Sequence, residues 1–125
     1  MPDLAWPNVE RAVVAWLAAR TSLPTFTEAD TAPSLPAERL MVARVGGAGR
    51  GIEKDVDVEV EVFAATRGRM WALVGAVESA MYALAADGDP YVDDVVEAFG
   101  FAVDPHPSAA VRRASATYTL TVRPQ

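Results

Sequence analysis

Asp55-Val56-Asp57-Val58-Glu59-Val60-Glu61-Val62-Phe63-Ala64 decides the fold. Val56, Val58, Val60, Val62 and Ala64 alternate with Asp55, Asp57, Glu59, Glu61 and Phe63, the two-residue period of a strand buried on one side. One face is apolar and the other acidic, so the sheet that contains this strand is covered on one side only. Directly after it, Thr66 is suited to cap a helix running to about Ala86, in which Met70, Leu73, Val74, Val77, Met81 and Leu84 form an apolar stripe about 100° wide. Directly before it, Gly46-Gly47-Ala48-Gly49-Arg50-Gly51 reads as a mobile hairpin loop, because glycine raises the entropy cost of ordering. Glu38 to Val45 precedes that loop as a second strand.

Further from this centre, Val9, Ala12, Val13, Trp16 and Leu17 recur at helical spacing between Pro7 and about Arg20, with Pro7 suited to a first-turn position. Thr21 to Pro36 holds Pro24, Pro33 and Pro36 and reads as a loop, with a short extended piece at Thr25-Phe26-Thr27. On the other side, Asp87-Gly88-Asp89-Pro90 ends the second helix. Tyr91 to Val103 fits a strand through Val95, Phe99, Phe101 and Val103, or a short helix through Val92, Val95, Val96 and Phe99; the strand is favoured, bulged near Gly100. Ala114, Ala116, Tyr118, Leu120 and Val122 alternate with Ser115, Thr117, Thr119 and Thr121 as a closing strand. The expectation is a single α+β domain over residues 1–125: a four-stranded, mainly antiparallel sheet with two helices packed on one face, in the order αββαββ.

A chain of 125 residues can bury roughly two-thirds of its unfolded surface, enough for one self-sufficient core. It contains no cysteine, which excludes disulfides and thiolate metal ligation. Its net charge of −6 argues against tight binding to a phosphate backbone. No stretch of about 18 uninterrupted apolar residues is present, and Met1-Pro2-Asp3-Leu4-Ala5-Trp6 lacks the basic start and apolar run of a signal peptide. The expectation is a soluble protein that starts inside a cell and has no membrane partner.

Candidates for chemistry are few. His106, the one histidine, sits between two prolines, where holding a base against a nucleophile is hard to arrange. Ser108 and Asp104 lie near it without a nucleophile-elbow pattern. Asp87, Asp89, Asp93 and Asp94 do not match a cation-binding loop and serve as turn and helix-end residues. The glycine run lacks the Gly-Lys-Ser/Thr ending of a phosphate cradle and is followed by a strand. No catalytic, cofactor or metal residue is assigned. The acidic row Asp55, Asp57, Glu59 and Glu61 is either a solvated face neighboured by Arg112, Arg113 or Arg44, or a functional surface. Trp71 and Tyr82, with Gly75 nearby, flank the second helix and either cover the sheet edge or enter a subunit interface.

The N-terminal amphipathic helix, the strand-glycine-strand unit over residues 40–64, the passage from Asp57 through Thr66 into the helix of Met70 to Leu84, and the closing Ala116-Thr117-Tyr118-Thr119-Leu120-Thr121-Val122 strand together resemble the tail terminator proteins of long-tailed bacteriophages. These are also called tail completion or minor tail proteins. The resemblance is one of element pattern and covers nearly the whole chain. It implies a virion protein assembled in the host cytoplasm, a homohexameric ring that caps the tail tube and joins the head-side connector, with no cofactor and no catalytic residue. Within such a ring, Asp55, Asp57, Glu59 and Glu61 would face the lumen, through which DNA passes without specific binding. Trp71, Gly75 and Tyr82 would lie at the subunit interface. Gly46, Gly47, Gly49, Arg50 and Gly51 would form an assembly loop that orders against a neighbour or the tube. A head-completion or neck protein of the same region is the alternative, and a small enzyme on a ferredoxin-like sheet is another.

Overall fold

A computed structural model describes residues 5–27, 35–105 and 110–125. Helix α1 (Val9–Thr21) begins at Asn8, whose side chain accepts from the Arg11 amide at 3.0 Å. It ends at Ser22, which takes the left-handed conformation (φ 58°) and returns its amide to the Ala18 carbonyl, a helix stop of the αL type. Pro7 therefore lies just outside the helix, before the cap, and not in its first turn. Val9, Val13 and Leu17 are the buried stripe.

Three strands follow: β1 (Thr25–Phe26), β2 (Arg39–Arg50) and β3 (Glu53–Ala64). Helix α2 (Arg67–Ala83) is capped by Thr66, whose hydroxyl accepts from the Arg69 amide at 3.2 Å. It loosens into a π-helical turn over Leu84–Gly88. Strands β4 (Val92–Asp104) and β5 (Arg112–Val122) complete the chain. The sheet order is β1-β2-β3-β5-β4, with β1 parallel to β2 and every other pair antiparallel.

This corrects the four-stranded αββαββ expectation in strand number, order and sheet type. The sheet is five-stranded and mixed, and the added strand is β1. A two-residue strand has no period to read, and its pairing is long-range: Thr25 lies opposite Leu40, whose amide donates to the Pro24 carbonyl at 2.8 Å. Pro24 donates nothing, yet its carbonyl is a full acceptor.

The glycine loop is also corrected. Gly46, Gly47, Ala48, Gly49 and Arg50 are in β2, opposite Asp57, Val56, Asp55, Lys54 and Glu53, and of the glycines only Gly51 lies in the turn. The strongly alternating β3 provides a template along which weak strand formers pair. Val45 is extruded as a bulge between Arg44 and Gly46, and Gly47 takes φ 142°, where an added Cβ would lie 2.2 Å from the Asp55 carbonyl oxygen. The chain requires glycine there.

Residues 92–104 form a strand with three register slips, after Val92, after Glu97 and after Phe99, which explains why their sequence fits neither period cleanly. Val56, Val58, Val60, Val62, Tyr118 and Leu120 face the two helices and are essentially inaccessible. Helix α1 packs over β1 and β2, and α2 over β3, β5 and β4. The Trp16 indole pins the helices together by donating to the Ala80 carbonyl at 2.6 Å. No helix among the described residues is long and apolar enough to cross a membrane.

Candidate functional site

With both helices on one side, the opposite sheet face presents the alternate residues of four adjacent strands. On β3 these are Asp55, Asp57, Glu59 and Glu61, each partly exposed. Their cross-strand neighbours on β5 are Thr121, Thr119, Thr117 and Ser115. The Thr121 hydroxyl donates to Asp55 at 2.9 Å and the Thr119 hydroxyl to Asp57 at 2.7 Å.

At the other end the row meets cations. Arg113 approaches Glu61 at 3.5 Å, and Arg39 lies over the Phe63 ring with its guanidinium 4.0 Å from the ring centre. Of the arginines expected beside the row, Arg113 reaches Glu61; Arg44 and Arg112 stand opposite Val58 and Ala64, at register positions of the other face. Burial raises the Glu61 carboxyl above its ordinary value, and nearby Glu59 and Asp104 push the same way, while Arg113 and Arg39 partly oppose the shift. Burial lowers the Arg39 guanidinium, against the attraction of Glu61. Asp104 accepts a short hydrogen bond from the Ser115 hydroxyl.

On β2 the same face carries Met41, Ala43, Gly46 and Ala48. The four residues opposite the carboxylates carry no charge. On β4 it carries Asp94, Val96, Phe99 and Ala102. Phe99 is 74% exposed, an apolar surface the sequence reading missed. Both periods grouped Phe99 with Val95, and the slip between Glu97 and Phe99 puts it on the other face.

The second candidate group lies on α2. Trp71, Gly75 and Tyr82 are all exposed on its outer side. Eleven residues at 1.5 Å each place the two aromatics roughly 16 Å apart on nearly one line. The Tyr82 hydroxyl donates to Glu97 of β4 at 3.2 Å, and that contact raises its pKa. Helix flank and β4 edge are thus joined at one side of the molecule. The third group, the glycines of β2, lies at the opposite side of the sheet.

His106 and Ser108 lie outside the described residues. The four aspartates near the end of α2 are engaged locally: Asp87 faces Arg20 at 3.8 Å, Asp89 accepts from the Tyr91 amide, Asp93 meets Arg123 at 3.3 Å and Asp94 accepts from the Val95 amide. Among the described residues no group of three or more metal-ligating side chains converges. Surface hollows of 380 and 480 Å³ lie beside α1 and are lined in part by Ala12, Ala15 and Asp89, away from the acidic row.

No family model and no curated protein matches the chain. Among solved structures, it is similar to a chain from the virion of a native gene transfer agent particle, with a TM-score of 0.70 over 92% of this chain and 94% of that one at 16% identity. The fold, end to end, is thus one used in a virion.

Proposed function

We propose that this chain is a non-enzymatic structural protein of a tailed, phage-like particle, and that it forms the ring that terminates the tail tube and joins it to the head-side connector. The observation that carries the reading is the end-to-end fold likeness to a gene transfer agent virion chain. The element pattern of a tail terminator, read from the sequence, adds the position in the tail.

In this role the helix-free face lines the passage. Asp55, Asp57, Glu59 and Glu61 present negative charge to DNA, so that a polyanion slides without sticking. Neutral threonine hydroxyls hold two of the carboxylates, Asp55 and Asp57. Trp71, Gly75 and Tyr82 lie toward the neighbouring subunit. The partners are further copies of the chain, six in the ring, together with the tail-tube protein and the connector protein.

Negative-stain imaging of the purified protein, alone and with tail tubes, tests this. Closed six-fold rings that cap tube ends are expected. Binding to the connector but never to tubes would replace the terminator reading with that of a neck protein. A monomer under every condition would remove both.

A further inference from the structure

Among the described residues the sheet is open at both sides, and the two open edges fit each other. On one side β2 is shut along its first half: β1 pairs with Leu40 and Met41, and the Glu10 carboxylate accepts the Arg44 amide at 2.9 Å. Immediately afterwards comes the bulge at Val45, and among the described residues no strand or side chain is recorded on the outer edge of Gly46 to Arg50. The Leu40 and Arg44 amides both point away from β3. Continuing that alternation through the bulge turns the Gly47 and Gly49 amides outward too. Soluble proteins usually blunt such an edge with charge, proline or bulky cover, whereas Gly46-Gly47-Ala48-Gly49 has none of these.

At the other side β4 is paired only with β5 among the described residues. Its exposed side chains include Val96, Phe99 and Val103. The strand directions decide what meets what. β2 and β5 run one way and β3 and β4 the other, so a second copy set beside the first with the same face toward the lumen brings its β4 antiparallel to β2. The heights agree as well. Gly46 is level with Asp57, Thr119 and Val96, and Gly49 with Lys54, Val122 and Val92, so the two edges, open among the described residues, lie at one level of the sheet. Bulky apolar residues on one strand and glycines on the other are complementary, since an aromatic or branched neighbour covers backbone that glycine leaves bare.

We propose that β4 of one copy adds antiparallel to the Gly46–Arg50 edge of β2 in the next, head to tail, so that successive sheets join into one continuous wall. This rests on the ring reading above and specifies its subunit contact. The contact is main-chain strand addition, and the bulge with Glu10 marks where it stops.

The chain has no cysteine, so introduced thiols report only their own neighbours. Ala48→Cys is coexpressed in turn with Asp94→Cys, Val96→Cys or Phe99→Cys, all on the helix-free face, and the products are oxidised. Linked dimers are expected from one of the three combinations and from none of the four single variants alone. A β4 variant that links to itself would indicate two-fold edge pairing and overturn the proposal. Light scattering supplies the second arm. Gly49→Pro, which removes an outward amide, is expected to lose the ring while keeping the far-ultraviolet circular dichroism of the parent, and Gly49→Ala to keep the ring. If the parent forms rings, no mixed pair links and Gly49→Pro still assembles, this contact is wrong and the ring reading stands. A parent that never assembles, with or without tail tubes, overturns both.

Discussion

At Gly47 the backbone turns to φ 142° and an added methyl group would meet the Asp55 carbonyl, whereas at Gly49 it would meet nothing within 4 Å. The two positions therefore respond oppositely to the same change. Gly47→Ala is expected to destabilise by about 1–3 kcal/mol, and Gly49→Ala to stabilise by roughly 0.5–1 kcal/mol, as alanine for glycine does within a strand. Denaturant midpoints measure both. Glu61 gives a test by pH. Burial raises its carboxyl above 4.5, so the folded protein binds this proton more tightly than the unfolded chain does. The stabilising contribution is complete below the unfolded value and is lost as pH rises through the folded one. The parent should therefore lose stability relative to Glu61→Gln between acidic and neutral pH, as read from paired melts. A constant difference would show that the carboxyl titrates normally.

Among the elements, β3 and β5 were legible because each alternates without interruption and both of their neighbours are strands. Val60 illustrates the consequence: it is fully buried between Val42 and Ala116. Val60→Asp, which places an unpaired charge in this layer, is expected to cost several kcal/mol. A melting temperature equal to that of the parent would contradict the packing. Elsewhere the signal was local where the structure is not. Nothing within Thr25-Phe26 encodes a partner fifteen residues away. Glycine content described what Gly46 to Gly49 prefer in isolation, while β3 decides what they do. Phe99 was grouped with Val95, yet it lies opposite Thr117 on the other face, because the bulges of β4 belong to its pairing with β5 and leave no periodic trace. The acidic row was legible as a row, but its threonine donors are visible only through the β3–β5 register.

For the whole molecule, the consequence of the helix-free face is electrostatic. In the proposed ring, six copies of four carboxylates around one passage would repel DNA and one another within a Debye length of about 8 Å in physiological salt. Replacing Asp55, Asp57, Glu59 and Glu61 by lysine should leave the monomer folded, because all four side chains lie outside the apolar core. The resulting ring should retain DNA through purification, detected by absorbance and nuclease digestion. In the parent, low salt should weaken the ring, and raised salt or divalent cations should strengthen it, measured by light scattering. Lysine rings free of nucleic acid, or an ionic response of opposite sign, would move these carboxylates away from the lumen.

The three tryptophans stand in three different surroundings, and this makes the chain its own optical probe. Trp16 is bonded between the helices, Trp6 lies under the Lys54 ammonium at 4.3 Å, and Trp71 is 39% exposed on the outer side of α2. Subtracting the emission of Trp71→Phe from that of the parent isolates the surface indole without disturbing the other two. A blue shift of that difference spectrum with protein concentration would time the burial of the α2 flank, while the remaining signal reports whether the helices stay docked. Assembly and folding can thus be followed in one cuvette without a label.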